Sequence, residues 1–156
     1  MSTVVHDQET VETILARAAD RAKQRGIGYA GLVTPAEAWA LVEADAATIV
    51  DVRTRFEAEY VGRIPDTPLV EWKSLGSAVP NPRFLDEVNA LPDRRPRLLF
   101  LCRSGVRSHA AAEAAHDAGH DGAYNILEGF EGDLDEQKHR GTRGGWRKAG
   151  LPWIQG

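Results

Sequence analysis

Apolar residues fall at helical spacing near the start of the chain. Val11, Ile14, Leu15, Ala18 and Ala22 share one face, which predicts an amphipathic helix over residues 7 to 25, ended by Gly26 and Gly28. Its stripe predicts a core or dimer contact. "LVTPAEAWALVEAD" predicts a second helix, with Thr34 as cap, Pro35 at the first position and Glu37 three residues after the cap. "ATIVDVR" then reads as a short buried strand ending near Asp51. "TRFEAEYVG" predicts a short helix closed by Gly62, "RIPDTP" a loop and "LVEW" a short strand. "NPRFLDEVNALP" predicts a helix bounded by prolines, and "PRLLFLC" a strongly apolar strand. "SHAAAEAAHDAG" predicts a helix with Ser108 as cap and Gly119 as stop, and "AYNILEG" a last strand.

Helices and strands thus alternate from residue 34 to 127, the pattern of an α/β fold with a mostly parallel sheet. The Gly-, Arg- and Trp-rich segment from 129 to 156 is expected to wrap the surface. The expected organisation is an N-terminal helical extension, residues 1–28, and one domain, residues 29–156.

The chain has 156 residues, enough for one domain with a real core. A net charge of −4 argues against a general nucleic-acid binder. No apolar run approaches the roughly 20 residues a membrane helix needs. The charged first 25 residues lack a signal-peptide core, so a cytoplasmic protein is expected.

A single cysteine, Cys102, excludes an intramolecular disulfide and an internal resolving thiol. It sits where "RLLFL" stops, at the carboxyl end of a strand, where open parallel sheets bind ligands. The loop "CRSGVR" then runs into a helix. Backbone N–H groups of a tight loop, the positive helix N-terminus, Arg103 and Arg107 all favour thiolate over thiol. Gly105 permits a backbone conformation that other residues resist.

These residues resemble a rhodanese-type sulfurtransferase domain, single-domain class, over roughly residues 30 to 153. "CRSGVRS" is the most specific part, supported by "IVDVR", "FEAEYVGRIP", "NILEGFEGD" and "GGWRKAGLPW". The resemblance implies a rhodanese-like α/β fold: a central, mostly parallel sheet flanked by helices. It also implies a ping-pong reaction in which Cys102 takes sulfane sulfur from an anionic donor such as thiosulfate. The resulting persulfide passes its sulfur to a thiophilic acceptor, cyanide or a thiol, small or protein-borne. Arg103, Ser104, Gly105, Val106 and Arg107 would bind substrate and persulfide. Asp51 and Arg53 would support the loop. "RIPDTP", with Arg63, Asp66 and Thr67, departs from the family's usual segment, which bears on acceptor choice.

A dedicated persulfide carrier, loaded by a protein partner, would show the same loop. A phosphatase or arsenate reductase would have five residues between Cys and Arg; here there are four. His116 and His120 have metal-ligand spacing, but Gly119 interrupts the helix between them, and neither a metal nor a cofactor is expected. Glu57 and Glu59 are expected to be surface acids, Trp72 and Trp146 packing residues, and "KHRGTRGGWRK" a solvated run.

Overall fold

The computed structural model describes the backbone from Asp7 to Gly156. Its elements are α1 (Asp7–Gln24), β1 (Gly31–Val33), α2 (Pro35–Glu43), β2 (Thr48–Asp51), α3 (Arg55–Tyr60), α4 (Phe84–Asn89), β3 (Leu98–Leu101), α5 (Val106–Asp117) and β4 (Ala123–Ile126). The four strands form one parallel sheet in the order β1-β4-β3-β2. Both central strands are wholly buried, as expected of a sheet covered on both faces.

Alternate residues of β3 feed two cores, because successive side chains point to opposite faces. Leu99 and Leu101 join Ile14 and Ala18 of α1, Ala38 and Leu41 of α2, and Phe130 and Trp146. Leu98, Phe100 and Cys102 join Phe84 and Val88 of α4 and Ala111, Ala112 and Ala115 of α5. The predicted apolar stripe of α1 therefore meets the sheet. Ala18 lies so near β1 that a Cβ on Gly31 would come within 2.8 Å of its methyl carbon.

Several boundaries differ from expectation. β1 was not anticipated: three residues are too few for a periodicity. "LVEW" makes one isolated bridge, Leu69 with Asp51, followed by Val70 N–H donating to Asp51 O and Trp72 N–H to Val52 O. Pro68 has no N–H with which to extend that ladder backwards. The helix expected across 81–92 shortens to α4, because the Asn81 side chain holds a turn ahead of it, accepting from Arg83 N–H at 3.0 Å. Ser108 is not the cap of α5. The helix starts at Val106, capped by Gly105, whose φ of 108° turns the chain directly from the cysteine loop into the helix.

The segment after residue 129 does more than wrap the surface. Phe130 and Trp146 are fully buried, and Trp146 donates to Pro152 O at 2.7 Å. The chain's last residues bridge back to Arg63 through Ile154. Among the described residues, no helix is long and apolar enough to cross a membrane.

Candidate functional site

β3 delivers Cys102 to the carboxyl edge of the sheet, where the sulfur is buried, the residue being 1% exposed. Two donors meet it. Gly105 N–H lies 3.1 Å from Sγ, and Ser108 Oγ lies 3.2 Å away, one turn into α5. Ser108 Oγ is also 2.5 Å from Asn125 Oδ1 on β4, while Asn125 Nδ2 donates to Gly105 O at 3.1 Å. The single hydroxyl proton of Ser108 serves either the sulfur or Asn125. Asn125 thus ties the turn of the loop to the next strand.

The loop is clamped from the other side. Phe130 N–H donates to Cys102 O at 2.8 Å, and Glu131 and Gly132 N–H both donate to Arg103 O, at 3.0 and 3.2 Å. This approach requires Gly129: a Cβ there would sit 2.5 Å from the Cys102 and Arg103 carbonyl oxygens.

Asp51 and Arg53 form a buried pair, with Arg53 Nε and Nη2 donating to the carboxylate at 2.9 and 2.7 Å. Arg53 Nη2 also donates to Gly62 O at 2.8 Å, at the turn that ends α3. The guanidinium lies 4.4 Å from the centre of the Phe130 ring, and its Nη1 has no hydrogen-bond partner among the described residues. The pair therefore sits beneath the residue that holds the Cys102 carbonyl.

Arg103 and Arg107 diverge. Arg107 is fixed to Glu57 by two hydrogen bonds, 2.7 and 2.9 Å. Glu57 is held in turn by the start of α3, accepting from Thr54 N–H while its own N–H donates to Thr54 Oγ1. Burial pushes the Glu57 carboxyl up, but the Arg107 and Thr54 hydrogen bonds outweigh it and bring it down to about 2. The hydrogen bond to Glu57 raises the Arg107 pKa. Arg103 is exposed and, among the described residues, makes no ion pair.

The loop residues face two cavities. Arg103 and Arg107 line one of about 590 Å³, with Glu57, Lys73 and Glu131. Ser104, Gly105 and Val106 line another of about 560 Å³, with Tyr29, His109 and Asn125. Burial pushes the Tyr29 phenol up to about 12, so it stays neutral, 2.7 Å from His109 Nδ1. Of the predicted site residues, Gly105 donates to the sulfur, Arg103 and Arg107 face a different cavity from Ser104, Gly105 and Val106, and Asp51 and Arg53 lie beneath Phe130; Cys102 itself lines neither cavity.

Ser108 and Asn125 were missed as partners of the loop. The signal for Asn125 was a polar residue inside the apolar strand "AYNI". Glu57 carried a readable signal as well, since Thr54 and Glu57 repeat the spacing of Thr34 and Glu37. His120 lies beyond α5, 2.9 Å from Asn89 Oδ1, and no group of three or more His, Cys, Asp or Glu among the described residues could hold a metal ion.

Known proteins are similar to this chain in sequence and in fold. The crystal structure of Rv0390 from M. tuberculosis is 44% identical, with a TM-score of 0.73, over 83% of this chain and 100% of that one. An uncharacterised protein of Rickettsia conorii is 36% identical over 115 residues, 72% of this chain and 87% of its own. The thiosulfate sulfurtransferase GlpE of Actinobacillus pleuropneumoniae is 29% identical over 120 residues, 77% of this chain and 89% of its own. The rhodanese-like domain family matches residues 34–136. With two thirds of its length inside that match and its sheet of the same class, the chain belongs to the rhodanese-like domain family.

Proposed function

We propose that the chain is a sulfurtransferase in which Cys102 carries the sulfur. The observation that carries this reading is the convergence of Gly105 N–H and Ser108 O–H on one sulfur at a strand end. Gly105 N–H stabilises negative charge on that atom, on the thiolate or on a persulfide, and the Ser108 hydroxyl adds to it when its one proton turns from Asn125 Oδ1 to the sulfur. The likeness to a protein named as a thiosulfate sulfurtransferase supports the same donor class here. In the first half-reaction the Cys102 thiolate attacks the outer sulfur of thiosulfate. The S–S bond breaks, its electron pair leaves on sulfite, and Cys102 holds a persulfide anion. In the second, cyanide or a thiolate attacks the outer sulfur, and the electron pair of the broken S–S bond returns to Cys102.

Arg103, exposed and without an ion pair, is the group suited to attract the anionic donor. Arg107 acts at one remove: with its guanidinium held by Glu57, it positions the loop and adds positive charge. That commitment also speaks against phosphatase chemistry, which needs a free arginine fork to clamp a tetrahedral anion.

The test is thiocyanate formation from thiosulfate and cyanide, wild type beside Cys102→Ser. Turnover in the wild type and none in the variant, with a gain of one sulfur in the intact mass of the wild type alone, is the expected result. A wild type that never acquires sulfur from any donor overturns the reading.

A further inference from the structure

Eight large hydrophobic side chains are exposed among the described residues, and three of them, Phe56, Tyr60 and Leu75, line the cavity that holds Arg103. Tyr60 and Leu75 are each 69% exposed, and Phe56 is 50% exposed. Phe56 and Tyr60 stack with ring centroids 6.4 Å apart on the outer side of α3. Val106, 75% exposed at the start of α5, lies apart from them, in the cavity lined by Ser104 and Gly105. Apolar surface gathered at one place on a soluble domain marks a contact. Neither thiosulfate nor cyanide can cover it, since both are small and polar.

The charge around this cavity has one sign to spare. Its two acids are occupied, Glu57 by Arg107 at 2.7 Å and Glu131 by Arg147 at 3.8 Å. Its cations Arg103 and Lys73 make no ion pair among the described residues.

Resting on the sulfurtransferase reading above, we infer that this patch is the docking surface for a protein that carries the acceptor thiol. Its cysteine lies on an apolar segment flanked by acidic residues, which docks on Phe56, Tyr60 and Leu75. The apolar part of that segment covers the aromatic stack and Leu75, and its carboxylates meet Lys73 and Arg103. The partner's thiolate then attacks the outer sulfur of the Cys102 persulfide anion. A new S–S bond forms on the partner, the old one breaks, and its electron pair stays on Cys102 as thiolate. No oxidant and no proton transfer is needed.

The experiment loads the full chain with thiosulfate, or with polysulfide if thiosulfate fails, and reads the sulfur by intact mass. The loaded protein is discharged to cyanide and to two synthetic peptides. Each peptide has one cysteine between leucines, flanked in one by glutamates and in the other by lysines. The expected result is discharge about tenfold faster to the glutamate peptide. A Phe56→Ser, Tyr60→Ser, Leu75→Ser triple variant, its fold checked by circular dichroism, is expected to lose about tenfold toward that peptide and to keep its rate with cyanide. Equal rates for the two peptides with the wild type overturn the inference even if the variant misfolds. A triple variant with the wild-type rate toward the glutamate peptide overturns it as well. In both cases sulfur loading and cyanide discharge leave the sulfurtransferase reading standing. A chain that never loads sulfur overturns that reading, and the inference falls with it.

Discussion

Helices α2 and α3 open with the same device and use it for different ends. Each starts with a threonine cap whose hydroxyl accepts from the amide three residues on, and with a glutamate there that reaches back to the cap amide. In α2 the glutamate is Glu37, and the cations come from α1: Arg21 at 2.6 Å and Arg17 at 2.9 Å. In α3 it is Glu57, and the cation is Arg107 of the cysteine loop's helix. In both cases burial pushes the carboxyl up, hydrogen bonds to arginine and to the cap amide bring it down, and it ends at about 2. A local motif therefore sets a carboxylate in place, and the fold decides which arginine arrives. At α2 the result fastens the N-terminal helix to the sheet, because Arg21 also donates to Leu32 O at 2.8 Å. At α3 it fastens the first turn of α5, which follows the cysteine loop.

If this division holds, Glu37→Ala is the larger blow to stability. It removes the side-chain acceptor of the Thr34 amide and leaves Arg21 without its partner, at an expected cost of about 2–3 kcal/mol in urea unfolding. Sulfur transfer per folded molecule should be unchanged; a proportionate loss of turnover would erase the distinction. Glu57→Gln should do the reverse. It keeps the cap geometry but frees Arg107, so thiocyanate formation should fall about tenfold with a stability loss of about 1 kcal/mol. Unchanged turnover would show that the position of Arg107 does not matter.

Acid should act on both copies alike. Each glutamate has a folded pKa near 2, below its unfolded value of about 4.3, so its contribution is complete above that value and disappears as pH falls toward 2. Urea midpoints measured from about pH 6 down to 3 should fall more steeply for the wild type than for a Glu37→Gln, Glu57→Gln double variant. The smallest effect is expected at Arg17, whose side chain is 52% exposed: Arg17→Ala should cost under about 0.5 kcal/mol.

The two copies were not equally legible. Thr34-Pro35-Ala36-Glu37 announces itself, because proline marks the first turn. Thr54-Arg55-Phe56-Glu57 has the same ends without that mark, and its partner lies 50 residues further on, a distance no local pattern spans. Strands β2, β3 and β4 showed as β-branched or apolar runs, and Cys102 was placed at a strand end from "RLLFLC" alone. The orientation of Ser108 was hidden by a helix phase that depends on the left-handed turn at Gly105. Trp146 was expected to pack and is fully buried, but its partner Trp39, with ring centroids 5.9 Å apart, lies too far away in sequence for any local pattern to name.

The turn at Gly129 has a consequence for synthesis. The sulfur's donors lie on the loop and α5, but the groups that hold the loop's backbone, Asn125 and the amides of Phe130, Glu131 and Gly132, come later in the chain. A nascent chain that has emerged only as far as α5 has the cysteine but not its enclosure. Until the following segment leaves the ribosome, that thiol lacks the groups that hold its loop and is more open to alkylation and oxidation than in the finished protein.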